Sequence, residues 1–458
     1  MTVCSRRFSD WGRSAPRLEL MHRSRNGRSA LSPGAPAGAH NGAEPTQRAR
    51  QRAFCIAALP EGEDLQELGE LLRTAGVAVA GEMVQRREQP HPNTYLGAGK
   101  VAEAKAAAKA CDANVIACDD ELSARQERNL EEALGLPVVD RTTVILDIFA
   151  SHAGSAEGKL QVELAQLEYN LARMRGLWSH LERLGGGIGT RGPGETQIET
   201  DRRLARDRIS TLRRRLEHVK GTRGVQRAER ERAALPTIAL VGYTNAGKST
   251  LLNALTGSEV GVRDRLFHTL DPTTRTLRLG GRPYLLTDTV GFISKLPHQL
   301  VDAFAATLEE TRRAELLAHV LDASAPEAQS LLMKRSVEQT LEEIGAGERP
   351  RLLVLNKIDL LDSSERQELR LRHPDAVMVS GVSGEGLEEE LGERIERELA
   401  HTLRRVELLV PYADGGSLAE LHDLAGDVTR EDTAEGVRVR ALVPARLAER
   451  FARFAVAS

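Results

Sequence analysis

Apolar residues recur along this chain with two periods, and the changes between them divide it. From 53 to about 154, short apolar runs alternate with helix-spaced stretches. Phe54–Leu59, Val77–Val84, Asn114–Cys118 and Pro137–Asp140 read as strands. Asp64–Ala75, with Leu65, Leu68, Leu71 and Leu72 on one face, reads as a helix, as do Lys100–Ala110 and Leu122–Ala133. Strands alternating with helices predict a small, mostly parallel α/β sheet. From 155 to 234 the period becomes helical throughout. Glu157–Leu184 and Ile198 to about Arg232 are two long helix patterns joined by the Gly-rich loop Gly185–Glu195. This arrangement predicts an antiparallel hairpin with an exposed tip.

The apolar run Thr237–Val241 opens a third region, 235–402, with further strand patterns at Tyr284–Leu286, Leu352–Leu355 and Val377–Val379. Thr276–Leu279 and Arg282–Leu286 flank Gly280-Gly281 and predict a β-hairpin; Leu300–Arg313 predicts a helix. From 403 to 458, alternation in Val406–Val410 and Gly436–Val443, with helix patterns at Ser417–Leu424 and Pro444–Phe454, predicts a small α+β domain. Residues 1–52 are rich in Arg, Ser, Gly, Pro and Ala without apolar periodicity, and read as a disordered basic tail. That tail suits RNA contact or a solvated extension equally.

A net charge of −3 over 458 residues gives no whole-chain field toward nucleic acid, so charge has to be read locally. Aromatics make up 3%, too few for base-stacking platforms. Four cysteines without paired spacing (Cys4, Cys55, Cys111, Cys118) read as reduced thiols in a cytoplasmic chain. No apolar run approaches the roughly 20 residues of a membrane span, and no secretory core is present. A monomer is expected.

Chemistry concentrates in the third region. Gly242-Tyr243-Thr244-Asn245-Ala246-Gly247-Lys248-Ser249 has the spacing of a phosphate loop between a strand and a helix. Its glycines let backbone N–H groups face phosphate oxygens. Lys248 reaches the β- and γ-phosphates, and Ser249 supplies a hydroxyl to Mg2+. Asp288-Thr289-Val290-Gly291 ends a strand with a carboxylate for the Mg2+ shell and a glycine amide for the γ-phosphate. Asn356-Lys357-Ile358-Asp359 ends another. Asp359 can accept from both N1–H and the amino group of guanine, a donor pair that adenine lacks. Ser380-Gly381-Val382 stands where a further base contact falls. Four signals in this order, each at a strand end, imply a domain that binds GTP and GDP and hydrolyses GTP.

Longer motifs carry a more specific resemblance. Val139–Ala150, Glu157–Leu167, the run GGGIGTRGPGETQIETDRR from Gly185, Glu88-Gln89-Pro90 and Thr94–Gly97 are similar to the HflX family of ribosome-associated GTPases. The resemblance implies a hairpin that docks on the large ribosomal subunit, with its tip toward ribosomal RNA, and a role in splitting or rescuing stalled ribosomes. Candidate RNA contacts are Gly185, Gly186, Gly187, Arg191, Arg202 and Arg203. The interleaved Asp201, Asp207 and Glu217 leave open a plain solvated face for the second helix. Phe267-His268-Thr269-Leu270-Asp271-Pro272-Thr273-Thr274-Arg275 resembles the family's first switch, with Thr269 expected to bind Mg2+ and Thr274 as its rival. Ser151–Ser155 replaces a segment that contains arginine in the family, so a basic contact is expected to be missing there.

Two residues bear on catalysis. Phe292 follows Gly291 where many GTPases place a water-orienting Gln, so intrinsic hydrolysis should be slow and a partner should complete the site. Asn245 resembles the asparagine of GTPases activated by a monovalent cation; either it helps hold K+ or it only shapes the loop. An RNA-modification or ribosome-assembly accessory GTPase is the alternative to the ribosome reading.

Overall fold

The computed structural model describes residues 51–60, 64–184, 193–233, 235–258, 266–267, 269, 271–295 and 305–456. Residues 1–50 of the basic tail, the tip residues Gly185, Gly186, Gly187 and Arg191, and switch residues His268 and Leu270 lie outside the described residues; Arg52, read from the sequence as part of the tail, instead opens the first strand.

The first sheet is built from β1 (Arg52–Leu59), β2 (Ala78–Arg86), β3 (Val115–Cys118) and β4 (Val138–Asp140), in the order β2-β1-β3-β4 and all parallel. Helices α1 (Gln66–Thr74), α2 (Ala98–Ala110) and α3 (Ala124–Leu134) make its crossovers. Ser123 caps α3 reciprocally with Gln126, and Gly135 ends it in the left-handed conformation. Helix α4 (Arg141–His152) follows β4 directly. Asp140 is both the last strand residue and the cap of α4, accepting from Thr143 N at 2.9 Å.

The hairpin consists of α5 (Ala156–Leu184) and α6 (Pro193–Ala233). Leu167, Ile209 and Leu212 form its seam. Two of the α6 arginines pair across it: Arg208 with Glu163 at 2.6 Å and Arg213 with Glu168 at 2.8 Å. Past the middle of α5, Arg173 ties the hairpin to the first unit: it reaches Asp140 at 2.5 Å and Glu127 of α3 at 2.9 Å and stacks on the Tyr169 ring.

The third unit has β5 (Thr237–Gly242), α7 (Lys248–Thr256), β6 (Thr273–Leu279), β7 (Arg282–Asp288), α8 (Ala305–Arg313), β8 (Leu316–Asp322), α9 (Glu327–Glu343), β9 (Arg351–Asn356), α10 (Ser363–Arg372), β10 (Val377–Met378) and α11 (Glu393–Leu399). Its sheet runs β10-β9-β8-β5-β7-β6, parallel except for the β6–β7 hairpin. All the strands that end in a motif point the same way, so the motifs gather at one edge, as ligand sites do in open α/β sheets. A C-terminal sheet, β11 (Leu403–Val410), β13 (Val437–Pro444) and β12 (Gly426–Asp432), is antiparallel and carries α12 (Gly415–Leu424) and α13 (Ala445–Arg450).

One apolar cluster crosses from the first unit to the third, joining Leu68, Val144 and Phe149 to Tyr243, Phe267, Phe292 and Leu308. Beside it lies a polar network centred on buried Arg141 and Asp119. Arg141, 2% exposed, reaches Glu67 at 2.7 Å, Asp119 at 2.8 Å and the Ser294 carbonyl at 3.0 Å. Lys295 answers from the other side, 3.0 Å from Asp119 and 2.7 Å from Asp120. The hydroxyl of Tyr243 donates to Glu67.

Candidate functional site

The phosphate loop joins β5 to α7 and is held open by backbone that only glycine tolerates. Gly242 has φ +155, and a Cβ there would lie 2.3 Å from the Val320 carbonyl oxygen; Gly247 has φ +91, and its Cβ would meet Asn356 Nδ2 at 2.2 Å. The left-handed conformation of Asn245, φ +61, completes the curl. Thr244 N donates to the Phe292 carbonyl at 2.8 Å and Phe292 N to the Gly242 carbonyl at 3.1 Å, so the loop and the second switch form one backbone unit. The Phe292 ring is buried. It faces the apolar cluster and offers nothing to a water molecule.

Lys248 is buried, and its ammonium donates to the Gly242 and Tyr243 carbonyls at 3.0 and 2.8 Å. Burial lowers its pKa to about 8, against the opposing pull of Asp288. The same burial raises the Asp288 carboxyl above its usual range, while Lys248, Ser249 and Thr269 pull it back.

Three hydroxyl and carboxylate groups converge beside Lys248. Ser249 Oγ lies 2.6 Å from Asp288 Oδ2 and 2.8 Å from Thr269 Oγ1, and Thr269 Oγ1 donates to Asp288 Oδ2 at 2.9 Å. Asp288 Oδ1 is buried without a partner among the described residues. This is a hard-oxygen set of the kind Mg2+ takes, with lone pairs left over, and the residues fit the ion. Thr274 instead sits in β6, its hydroxyl 3.0 Å from that of Thr287. Thr289 Oγ1 turns inward to the Leu240 carbonyl at 2.7 Å, and Val290 is buried.

On the base side, Asn356 Nδ2 donates to the Ala246 carbonyl at 2.9 Å and its Oδ1 accepts from Gly381 N at 3.0 Å. Ser380 Oγ donates to Asp359 Oδ1 at 2.6 Å, leaving the other carboxylate oxygen for a base. Ile358 is buried and Val382 is 80% exposed. Lys357, with φ +69, is held by Asp322 at 2.6 Å. Asp322 was not singled out in the sequence; a carboxylate at the end of an apolar strand was its only signal.

The hairpin candidates are only partly brought to view. Arg203 is exposed and Arg202 half-buried near the start of α6. Phe267 and Asp271 flank Thr269 and contact the first unit: the Phe267 ring meets Phe149 edge-on at 4.6 Å, its carbonyl lies 2.9 Å from His152 Nδ1, and Asp271 Oδ2 accepts from Ser155 N at 2.7 Å. The segment Ser151–Ser155, where a basic contact was expected to be missing, thus faces the first switch.

Family models match three consecutive stretches: GTP-binding GTPase N-terminal over residues 62–150, GTP-binding GTPase Middle Region over 152–230 and 50S ribosome-binding GTPase over 237–357. The GTPase HflX of Caldanaerobacter subterraneus subsp. tengcongensis is 46% identical over 418 residues, 90% of this chain and 96% of the relative. The chain belongs to the HflX family of GTPases. The GTPase HflX of Escherichia coli is 50% identical over 349 residues, 75% of this chain and 82% of its own. A GTP-binding protein from the hyperthermophilic archaeon Sulfolobus solfataricus, in complex with GDP, aligns at 26% identity and TM-score 0.40, over 77% of this chain and 99% of that one. As expected from the motifs, the chain is a P-loop GTPase of mixed α/β fold, and no helix among the described residues is long and apolar enough to cross a membrane.

Proposed function

We infer that this chain is a GTP-driven switch that binds the large ribosomal subunit and its ribosomal RNA, and that splits or rescues stalled ribosomes. The convergence of Ser249, Thr269 and Asp288 carries the switch part of the reading, because it joins the phosphate loop, the first switch and the second switch in one spot. The ribosome part is supported by family membership and by the match of 237–357 to a model described as 50S ribosome-binding GTPase. A hairpin of 29- and 41-residue helices is long enough to reach well away from the body.

In this reading Gly242–Ser249 wraps the phosphates and Lys248 holds the β- and γ-oxygens. Mg2+, held by Ser249 and Thr269 with Asp288 behind them, would neutralise charge on the phosphates when bound. Asp359, steadied by Ser380, reads the guanine, and Asn356 and Lys357 hold the base loop against the phosphate loop. In the same reading Asn245 helps to hold K+ against the phosphates. Phe292 supplies no water-orienting group, so hydrolysis alone is slow and the ribosome completes the site. Bound GTP orders both switches and favours the gripping state; hydrolysis releases it.

The test is GTP hydrolysis in K+ buffer, alone and with purified large subunits, small subunits or bulk RNA. Strong stimulation by large subunits that is lost on deleting residues 185–194 is expected. Stimulation by free RNA alone would favour an RNA-modification or assembly role, and no stimulation by any ribosomal particle would end the ribosome reading.

A further inference from the structure

We propose that Asp271 completes the N-terminal cap of the hairpin helix α5 from across the unit boundary, so that the first switch and the hairpin base order together. The proposal rests on Thr269 being the switch threonine. The local geometry is a capping box with one part supplied from elsewhere. Ser155 is the cap residue: its carbonyl accepts from Lys159 N at 3.1 Å and its Oγ accepts from Gly158 N at 2.8 Å. In a self-contained box the third helical residue is Glu or Gln, whose side chain turns back to the cap residue's own N–H.

Here that third residue is Gly158, which has no side chain to send. The Ser155 N–H donates instead to Asp271 Oδ2 at 2.7 Å, and the Ser155 hydroxyl donates to Asp271 Oδ1. The carboxylate also sits at the positive end of the helix dipole. A Cβ on Gly158 would stand 2.8 Å from Asp271 Oδ1, and one on Gly154 3.4 Å from Oδ2. The missing side chains are what give the switch carboxylate its seat.

The same stretch of switch is anchored at the nucleotide. Asp271 is two residues past Thr269, whose hydroxyl lies against Ser249 and Asp288. Phe267, two residues before, is held by Phe149 and His152. A γ-phosphate that orders Thr269 therefore also seats Asp271 on Ser155, and its loss leaves the cap incomplete. By this route the start of α5, the helix that leads to the hairpin tip, registers the nucleotide.

Hydrogen exchange on the full chain tests this, with GDP and with a non-hydrolysable GTP analogue. Backbone amides of residues 155–159 should exchange about fivefold to thirtyfold more slowly with the analogue, the factor that one cap is worth. Asp271→Ala should abolish the difference. Gly158→Gln supplies a cap within α5 itself and should leave both states equally protected, so the idea stays testable if the Asp271 variant folds poorly. Equal protection of the wild-type amides with either nucleotide bound overturns the proposal alone, as does a difference that survives both variants. Failure of the analogue to bind overturns the switch reading beneath it, and the proposal with it.

Discussion

Asn356 donates from Nδ2 to the Ala246 carbonyl at 2.9 Å, and so ties the base-reading loop to the phosphate loop. Its Oδ1 accepts from Gly381 N at 3.0 Å, which makes one buried side chain the joint of three loops. Replacing it by alanine orphans a carbonyl and an amide, at about 1–3 kcal/mol each. Asn356→Ala should therefore weaken GDP binding by on the order of a hundredfold, read by titration with a fluorescent nucleotide. Unchanged affinity would mean that the loops hold each other through backbone alone.

Asp359 has Ser380 on one carboxylate oxygen and the other free for a base. Asp359→Asn should lower GTP affinity by about a hundredfold or more, because a site built for two donors is left mismatched. Competition between GTP and XTP measures the change, and retained guanine preference would move the base contact elsewhere.

Asn245 holds φ +61 at the rim of the loop. If it helps to hold K+, single-turnover hydrolysis in K+ should exceed that in Na+ by at least about tenfold, a barrier difference of about 1.4 kcal/mol. Asn245→Ala should erase the difference. Equal rates in the two salts with the wild-type chain would assign Asn245 to shaping the loop.

Arg141 is 2% exposed between Glu67 and Asp119. Arg141→Met removes the shared cation and leaves two half-paired acids at the boundary, with Lys295 still beside Asp119. Breaking a buried pair from one side costs about 3–5 kcal/mol, so a large drop in thermal unfolding temperature is expected. A negligible shift would show that solvent reaches both carboxylates.

His319 lies in β8, buried, with no partner for Nε2 among the described residues. Burial, with Lys334, Arg351 and Lys248 adding to it, lowers its pKa to about 3. The unfolded chain therefore binds more protons between pH 3 and the usual 6.5, and this contribution to stability is lost as pH falls through that window. At pH 5 the loss should be about 2 kcal/mol. His319→Leu should narrow the gap between stabilities measured at pH 7 and pH 5 by that amount in urea titrations. An unchanged gap would mean that His319 keeps its proton when folded.

The nucleotide motifs were legible in the sequence because each is contiguous. The Gly242–Ser249 loop, Asp288–Gly291 and Asn356–Asp359 carry their ligand atoms within a few residues, and an apolar strand before each announces its place. The same holds for the hairpin, whose two helix patterns and Gly-rich join are local signals. Helix α4 was not legible: Val144, Ile145, Leu146, Ile148 and Phe149 are apolar almost all round, since the helix is buried between units, and such a run has no face to read. The choice between Thr269 and Thr274 was left open too, because both hydroxyls lie within one switch and only the closed loop brings Thr269 to Ser249.

By itself, then, the sequence determined that a guanine-nucleotide loop set sits on a parallel sheet beside a long hairpin, since local pattern and spacing suffice for that. Only the tertiary structure decided that Glu67 meets Tyr243, that Lys295 lies between Asp119 and Asp120, and that Asp271 caps Ser155. Each of these pairs joins residues more than a hundred positions apart. Nothing in the spacing of either partner signals the other; the shared apolar cluster brings them together, and the excluded water makes their charges seek one another.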